Sequence, residues 1–184
     1  MVLPEKLEGA RVLLRRLKPG DAPAICAHLR DGRIARWTQR VPHPYKKTDA
    51  VKFIRDCKTK WREGTGYNFA TISKEDGALA GDLSLFGLDK ENRTATIGYW
   101  LGARYQGKGL MREAVALLLD FGFKKLKLEK IRSRVDADNS RSQRVLESSG
   151  FKREGFLRKE VLKRGKRKDA ITYGLLKSEY KRVR

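Results

Sequence analysis

The chain reads as a single α/β (α+β) domain: a mixed, mostly antiparallel sheet of about seven strands with helices on both faces. Three features predict this. Short β-rich runs separated by turn signals fill residues 67–101. An amphipathic helical period takes over at Gly109, and strand-like alternation returns at Lys130. A length of 184 residues suits one domain with a substantial core and falls short of two, so 1–184 is read as one unit.

Arg11–Arg16 reads as the first strand, and Pro19-Gly20-Asp21 as the turn into a helix with Ala24, Ile25, His28 and Leu29 on one face. Val41-Pro42-His43-Pro44-Tyr45 has the composition of a loop. A second helix is expected from about Thr48, whose hydroxyl suits an N-cap, through Val51, Ile54 and Trp61. Strands then follow at Tyr67–Ile72, at Leu79–Phe86 after the Asp76-Gly77 turn, and at Thr94–Leu101, forming an antiparallel meander.

Leu110, Ala114, Leu117, Leu118 and Phe121 lie on one helical face, which predicts a helix over Gly109–Lys125. In Lys130–Asp136, Ile131, Ser133 and Val135 alternate with Arg132 and Arg134, as in a strand. Asn139–Ser149 fits a short helix capped by Asn139 and stopped by Gly150. Lys152–Lys163 and Lys168–Leu176 form a hairpin turning at Arg164-Gly165.

Composition narrows the function. Lys and Arg total 43 against 22 Asp and Glu, a net charge of +21, so polyanions are natural partners: an RNA, an acidic protein, or the phosphates of a nucleotide cofactor. No segment approaches the roughly 20 apolar residues of a membrane helix, and Met1–Ala10 lacks an apolar run. A soluble, cytoplasmic protein without membrane contact is expected. Cys26, Cys57, His28 and His43 have neither metal-ligand nor disulfide spacing, so no metal is expected.

The stretch from Ile97 to Ala114 carries the chemistry: a strand gives way to a Gly-rich loop that opens a helix. Gly107 and Gly109 permit backbone conformations that a β-carbon obstructs, and the free N–H groups and dipole of the helix end attract an anion such as a pyrophosphate. Gly102 to Lys108 satisfies the opening of a P-loop, but Gly109 stands where Ser or Thr would hold magnesium. A dinucleotide fingerprint fails because Arg112 replaces its third Gly.

The remaining match is Gln106-Gly107-Lys108-Gly109, which resembles the Gln/Arg-x-x-Gly-x-Gly/Ala loop of the GNAT acetyltransferases, with Met111 at the final small position, where it should crowd the phosphate side slightly. Ile97-Gly98-Tyr99-Trp100-Leu101, Asp138-Asn139-x-x-Ser142, Arg144-Val145-Leu146-Glu147 and Gly150-Phe151-x-x-Glu154-Gly155 follow the order seen in the RimJ/RimL-like branch of that family. The resemblance spans nearly the whole chain. It implies a GNAT fold whose V-shaped cleft, between the strands at Thr94–Leu101 and Lys130–Asp136, takes the pantetheine arm of acetyl-coenzyme A like a missing strand.

In such a cleft the N–H groups near Trp100 and Leu101 would hold the pantetheine and polarise the thioester carbonyl. Gln106, Gly107, Lys108, Gly109, Leu110 and Met111 would hold the pyrophosphate. Asn139 resembles a pantetheine ligand and equally suits a helix cap. Ser142 would assist departure of the thiolate, since Leu146 stands where many relatives carry a Tyr acid. For the carboxylate that deprotonates the amine, Glu160 comes first and Asp82 second, whereas Glu113 is read as serving the helix dipole. Tyr99 and Trp100 could wall the acceptor site. The branch implies acetylation of a protein N-terminus, with the basic surface meeting a ribosome or an acidic protein and the enzyme acting as a monomer or homodimer. Alternatives are a small amine acceptor, or a non-catalytic RNA- or ribosome-binding module using Lys124, Lys125, Lys127, Lys130, Arg132 and Arg134 with the hairpin tip Lys163, Arg164, Lys166, Arg167 and Lys168.

Overall fold

The computed structural model describes residues 3–30, 32–38 and 41–181. Its sheet has eight strands: β1 (Lys6–Glu8), β2 (Val12–Arg16), β3 (Gly66–Ser73), β4 (Leu79–Asp89), β5 (Thr94–Leu101), β6 (Lys130–Asp136), β7 (Lys152–Lys163) and β8 (Lys166–Leu176). The spatial order is β1-β2-β3-β4-β5-β6-β8-β7, antiparallel throughout except where β5 meets β6. β1 was not expected, since Lys6-Leu7-Glu8 is too short to display alternation. β2 begins at Val12 rather than Arg11, and β8 begins at Lys166 rather than Lys168.

Pleating sends alternate side chains to opposite faces. One face carries Phe69, Leu83, Leu85, Ile97, Ile131 and Tyr173 into the larger core, beneath α3 (Leu110–Asp120) and α4 (Ser140–Ser148). The other carries Ala70, Ile72 and Trp100 against α1 (Ala22–Leu29) and α2 (Lys47–Glu63). Each helix turns an apolar stripe to the sheet: Ile25 and Leu29 of α1, Ala50 and Ile54 of α2, Ala114 and Leu118 of α3, all buried.

Two helix boundaries differ from expectation. Thr48 is not the N-cap of α2: the helix starts at Lys47, and the Asp49 carboxylate accepts the Lys46 N–H at 2.7 Å, the acidic half of a capping box. α3 ends at Asp120 and continues as a π-type turn over Phe121–Lys125, closed by the Leu126 N–H on the Phe121 carbonyl at 3.1 Å. That wider turn lets both Phe121 and Phe123 reach the core.

Candidate active site

β5 and β6 pair only over Thr94–Thr96 and Lys130–Arg132. Beyond that they separate, while the far edge of each stays paired, β5 to β4 and β6 to β8. The result is the expected V between two strand edges with unused backbone groups. The ladder to β4 decides which groups face it. The Gly102 N–H donates to the Ala80 carbonyl at 2.8 Å, and Trp100 lies opposite Asp82. Alternation therefore turns the Trp100 N–H to β4 and those of Tyr99 and Leu101 into the opening. Contrary to expectation the Trp100 N–H does not face the opening, whereas those of Tyr99 and Leu101 do. Trp100 instead buries its ring beside His28, with centroids 5.9 Å apart.

At the outer end of β5 lies the Gly-rich loop. Gly107 and Gly109 adopt φ of 79° and 75°, the left-handed region that a side chain resists. Gly109 is the N-cap of α3 and offers no side chain to the first turn, so the Leu110, Met111 and Arg112 N–H groups remain for a ligand. The expected crowding by Met111 does not occur, because its side chain is buried in the core. Lys108 is exposed and its Nζ lies 3.5 Å from Glu75, a loose surface pair that an anion could draw it from.

The loop is held from behind by a residue that sequence reasoning passed over. The Arg11 guanidinium donates to the Lys108 carbonyl at 3.0 Å and to Glu113 Oε2 at 2.9 Å. Glu113 Oε1 accepts the Arg11 and Val12 N–H groups at 2.8 and 3.3 Å. Burial works against the Glu113 carboxylate, but these donors outweigh it and hold its pKa below the ordinary glutamate range. Glu113 therefore ties β2 to α3, a larger role than its expected service to the dipole.

Two contacts link β5 and its following loop to α4. Gln106 Nε2 donates to the Leu101 carbonyl at 2.8 Å while its Oε1 accepts from Arg141 of α4 at 3.0 Å. Deeper, the Tyr99 hydroxyl of β5 lies 2.9 Å from Ser142 Oγ and 3.2 Å from the Ser142 carbonyl. Asn139 caps α4, its Oδ1 accepting the Ser142 N–H at 3.2 Å, so Ser142 is fixed from two sides. Leu146 is fully buried core.

The two carboxylates lie in contrasting environments. Glu160 is exposed on β7, beside a bulge, and its Oε1 accepts from Arg134 at 2.7 Å. Asp82 is buried, with Asn68 Nδ2 at 3.1 Å; burial pushes its pKa up to about 7 against the pull of Asn68 and Lys60.

A family model described as an acetyltransferase (GNAT) domain matches residues 11–152. The chain belongs to the GNAT acetyltransferase family. It is 33% identical to the uncharacterised N-acetyltransferase p20 of Bacillus licheniformis, over 96% of this chain and 98% of that protein. It is 30% identical to YdaF of Bacillus subtilis, provisionally named a ribosomal N-acetyltransferase, over 92% of this chain and 93% of YdaF. The structure of RimL, described as a ribosomal L7/L12 alpha-N-protein acetyltransferase in complex with coenzyme A, matches the fold with a TM-score of 0.87 at 19% identity, covering 94% of this chain and 98% of RimL.

This GNAT enzyme takes its acetyl group from acetyl-coenzyme A. The site's own geometry fits that donor. The glycine turns leave an uncapped helix end to face a pyrophosphate, and the open edge of β5 suits an amide-bearing arm.

Proposed function

We propose that this acetyltransferase modifies the N-terminal amine of a ribosomal or other protein by direct attack in a ternary complex. The observation that carries this reading is the likeness to YdaF along nearly its whole length. A net charge of +21 supports it, since such a surface draws in an acidic protein or a ribosomal particle and repels a polyamine.

Acetyl-coenzyme A supplies an acetyl group already activated as a thioester. The chain's residues do the rest. The N–H groups of Leu110, Met111 and Arg112, exposed by Gly107 and Gly109, cradle the pyrophosphate, and Lys108 adds a mobile charge. Gln106 releases the Leu101 carbonyl so that the pantetheine arm can pair along β5, and Asn139 stands on the opposite arm. The Tyr99 and Leu101 N–H groups face the negative charge that develops on the carbonyl oxygen. Glu160, exposed and within reach of solvent, accepts the amine proton directly or through water, and Ser142 steadies the departing sulfur.

The test is a screen of acceptors at fixed acetyl-coenzyme A: peptides with free N-terminal Ala or Ser, the same peptides blocked at the N-terminus, and small amines including polyamines. Turnover with the free peptides alone is expected. Faster turnover with a small amine would overturn the protein-acceptor reading while leaving the acetyltransferase intact.

A further inference from the structure

The Tyr99–Ser142 contact joins β5 to α4, beyond Thr96, where β5 and β6 part. A phenol carries one proton and has two acceptors here, the Ser142 hydroxyl and carbonyl oxygens. If it donates to the carbonyl at 3.2 Å, the Ser142 O–H turns toward the phenol oxygen and is lost to the cleft. If it donates to Oγ at 2.9 Å, the Ser142 O–H is free to point elsewhere. The Asn139 cap holds the Ser142 backbone still in both states, so only two hydroxyl rotors differ.

We propose that Tyr99 is a positioning residue for acetyl transfer, holding Ser142 Oγ by its own hydroxyl so that the Ser142 O–H is presented to the departing sulfur. This rests on the assignment of Ser142 given above. In the step, the amine nitrogen bonds to the acetyl carbon, the C–S bond breaks, and its electron pair passes to sulfur. The amine proton passes to Glu160 or water. The sulfur accepts a hydrogen bond from Ser142, which accepts one from Tyr99, and takes up a solvent proton on release. Burial, the largest influence, pushes the Tyr99 phenol up, with the Ser142 bond opposing it. Tyr99 thus keeps its proton against a thiol that titrates near about 8.5, and acts as a fixed donor rather than an acid.

Tyr99→Phe keeps the ring and removes only the hydroxyl, so packing against the core is preserved. Measurements are made on the full chain with Tyr99→Phe, Ser142→Ala and the double variant, reading kcat, KM for acetyl-coenzyme A, and calorimetric affinity for coenzyme A against desulfo-coenzyme A at pH 8. Each single variant is expected to lose about tenfold in kcat with little change in KM, and the double variant to lose no more than either. The wild-type preference for the sulfur-bearing ligand should fall in both variants, a change that a packing role would not produce. Normal kcat and ligand preference in Tyr99→Phe, with Ser142→Ala impaired, would overturn the role of Tyr99 alone. Losses that multiply in the double variant would also overturn it. Normal behaviour of Ser142→Ala would refute the Ser142 assignment and the Tyr99 role with it.

Discussion

Asp82 is a buried carboxyl on which desolvation outweighs its hydrogen bonding. Its carboxyl is enclosed among α1, α2 and the sheet, with the Asn68 amide as its hydrogen-bonding partner. Its folded pKa of about 7 lies above that of the unfolded chain, about 3.9, so over that interval the folded state binds the extra proton. Stability therefore falls as pH rises through this window and levels off above about 7. Asp82→Asn removes the ionisation while keeping the shape and an acceptor for Asn68. We expect the variant to match the wild type near pH 4 and to be more stable at pH 8, by up to roughly 4 kcal/mol, in urea melts at the two values. A wild type whose stability does not decline over this range would contradict the buried, protonated state. Activity in the same variant bears on Glu160: full turnover of Asp82→Asn leaves the exposed carboxylate as the proton acceptor.

At the scale of elements, the phosphate loop depends on two things: the glycine conformations within it and the clamp behind it. Gly109→Val forces a branched side chain to a φ of 75°, and its β-carbon would come within 3.2 Å of the Arg11 guanidinium. We expect affinity for coenzyme A to fall at least about tenfold by calorimetry. Arg11→Ala leaves the glycines alone but frees the Lys108 carbonyl and Glu113, so KM for acetyl-coenzyme A should rise severalfold with KM for the acceptor unchanged. Equal affinity in a folded Gly109→Val protein would reduce the loop to a turn.

The two halves of this device differ in how legible they were. The loop, the helix that follows it and the bounds of β5 and β6 could be read locally, because turn glycines and hydrophobic periods lie within a few residues of one another. The clamp could not, since Arg11 and Glu113 are 102 positions apart and each alone looks like surface charge. The contact between Tyr99 and Ser142 escaped for the same reason, since the two lie 43 positions apart. So did the orientation of Met111, which only the packing of α3 against the sheet decides.

At the scale of the molecule, the excess of positive charge is where structure narrows the sequence reading most. The hairpin tip was expected to present Lys163, Arg164, Lys166, Arg167 and Lys168 to a partner. Lys163 is withdrawn from that set: its ammonium is nearly buried and pairs with the buried Asp136 at 2.5 Å, while also reaching the Arg36 carbonyl. Replacing Lys163 would leave Asp136 uncompensated at the end of β6 and confuse stability with steering. Lys168 is likewise engaged, pairing with Asp138 at 2.9 Å. Exposed Arg164, Lys166 and Arg167 are the ones to change. If they steer an acidic protein or a ribosomal particle, converting all three to Ser should raise KM for that acceptor severalfold and leave KM for acetyl-coenzyme A untouched. Association of the wild type should slow as salt shortens the Debye length from about 10 Å at 0.1 M to about 3 Å at 1 M, and the triple variant should respond less steeply. A neutral peptide acceptor serves as the control, because steering acts on the charge of the partner and not on the chemical step. Kinetics indifferent both to salt and to the three changes, measured with an acidic protein acceptor, would mean that the positive field plays no part in acceptor capture.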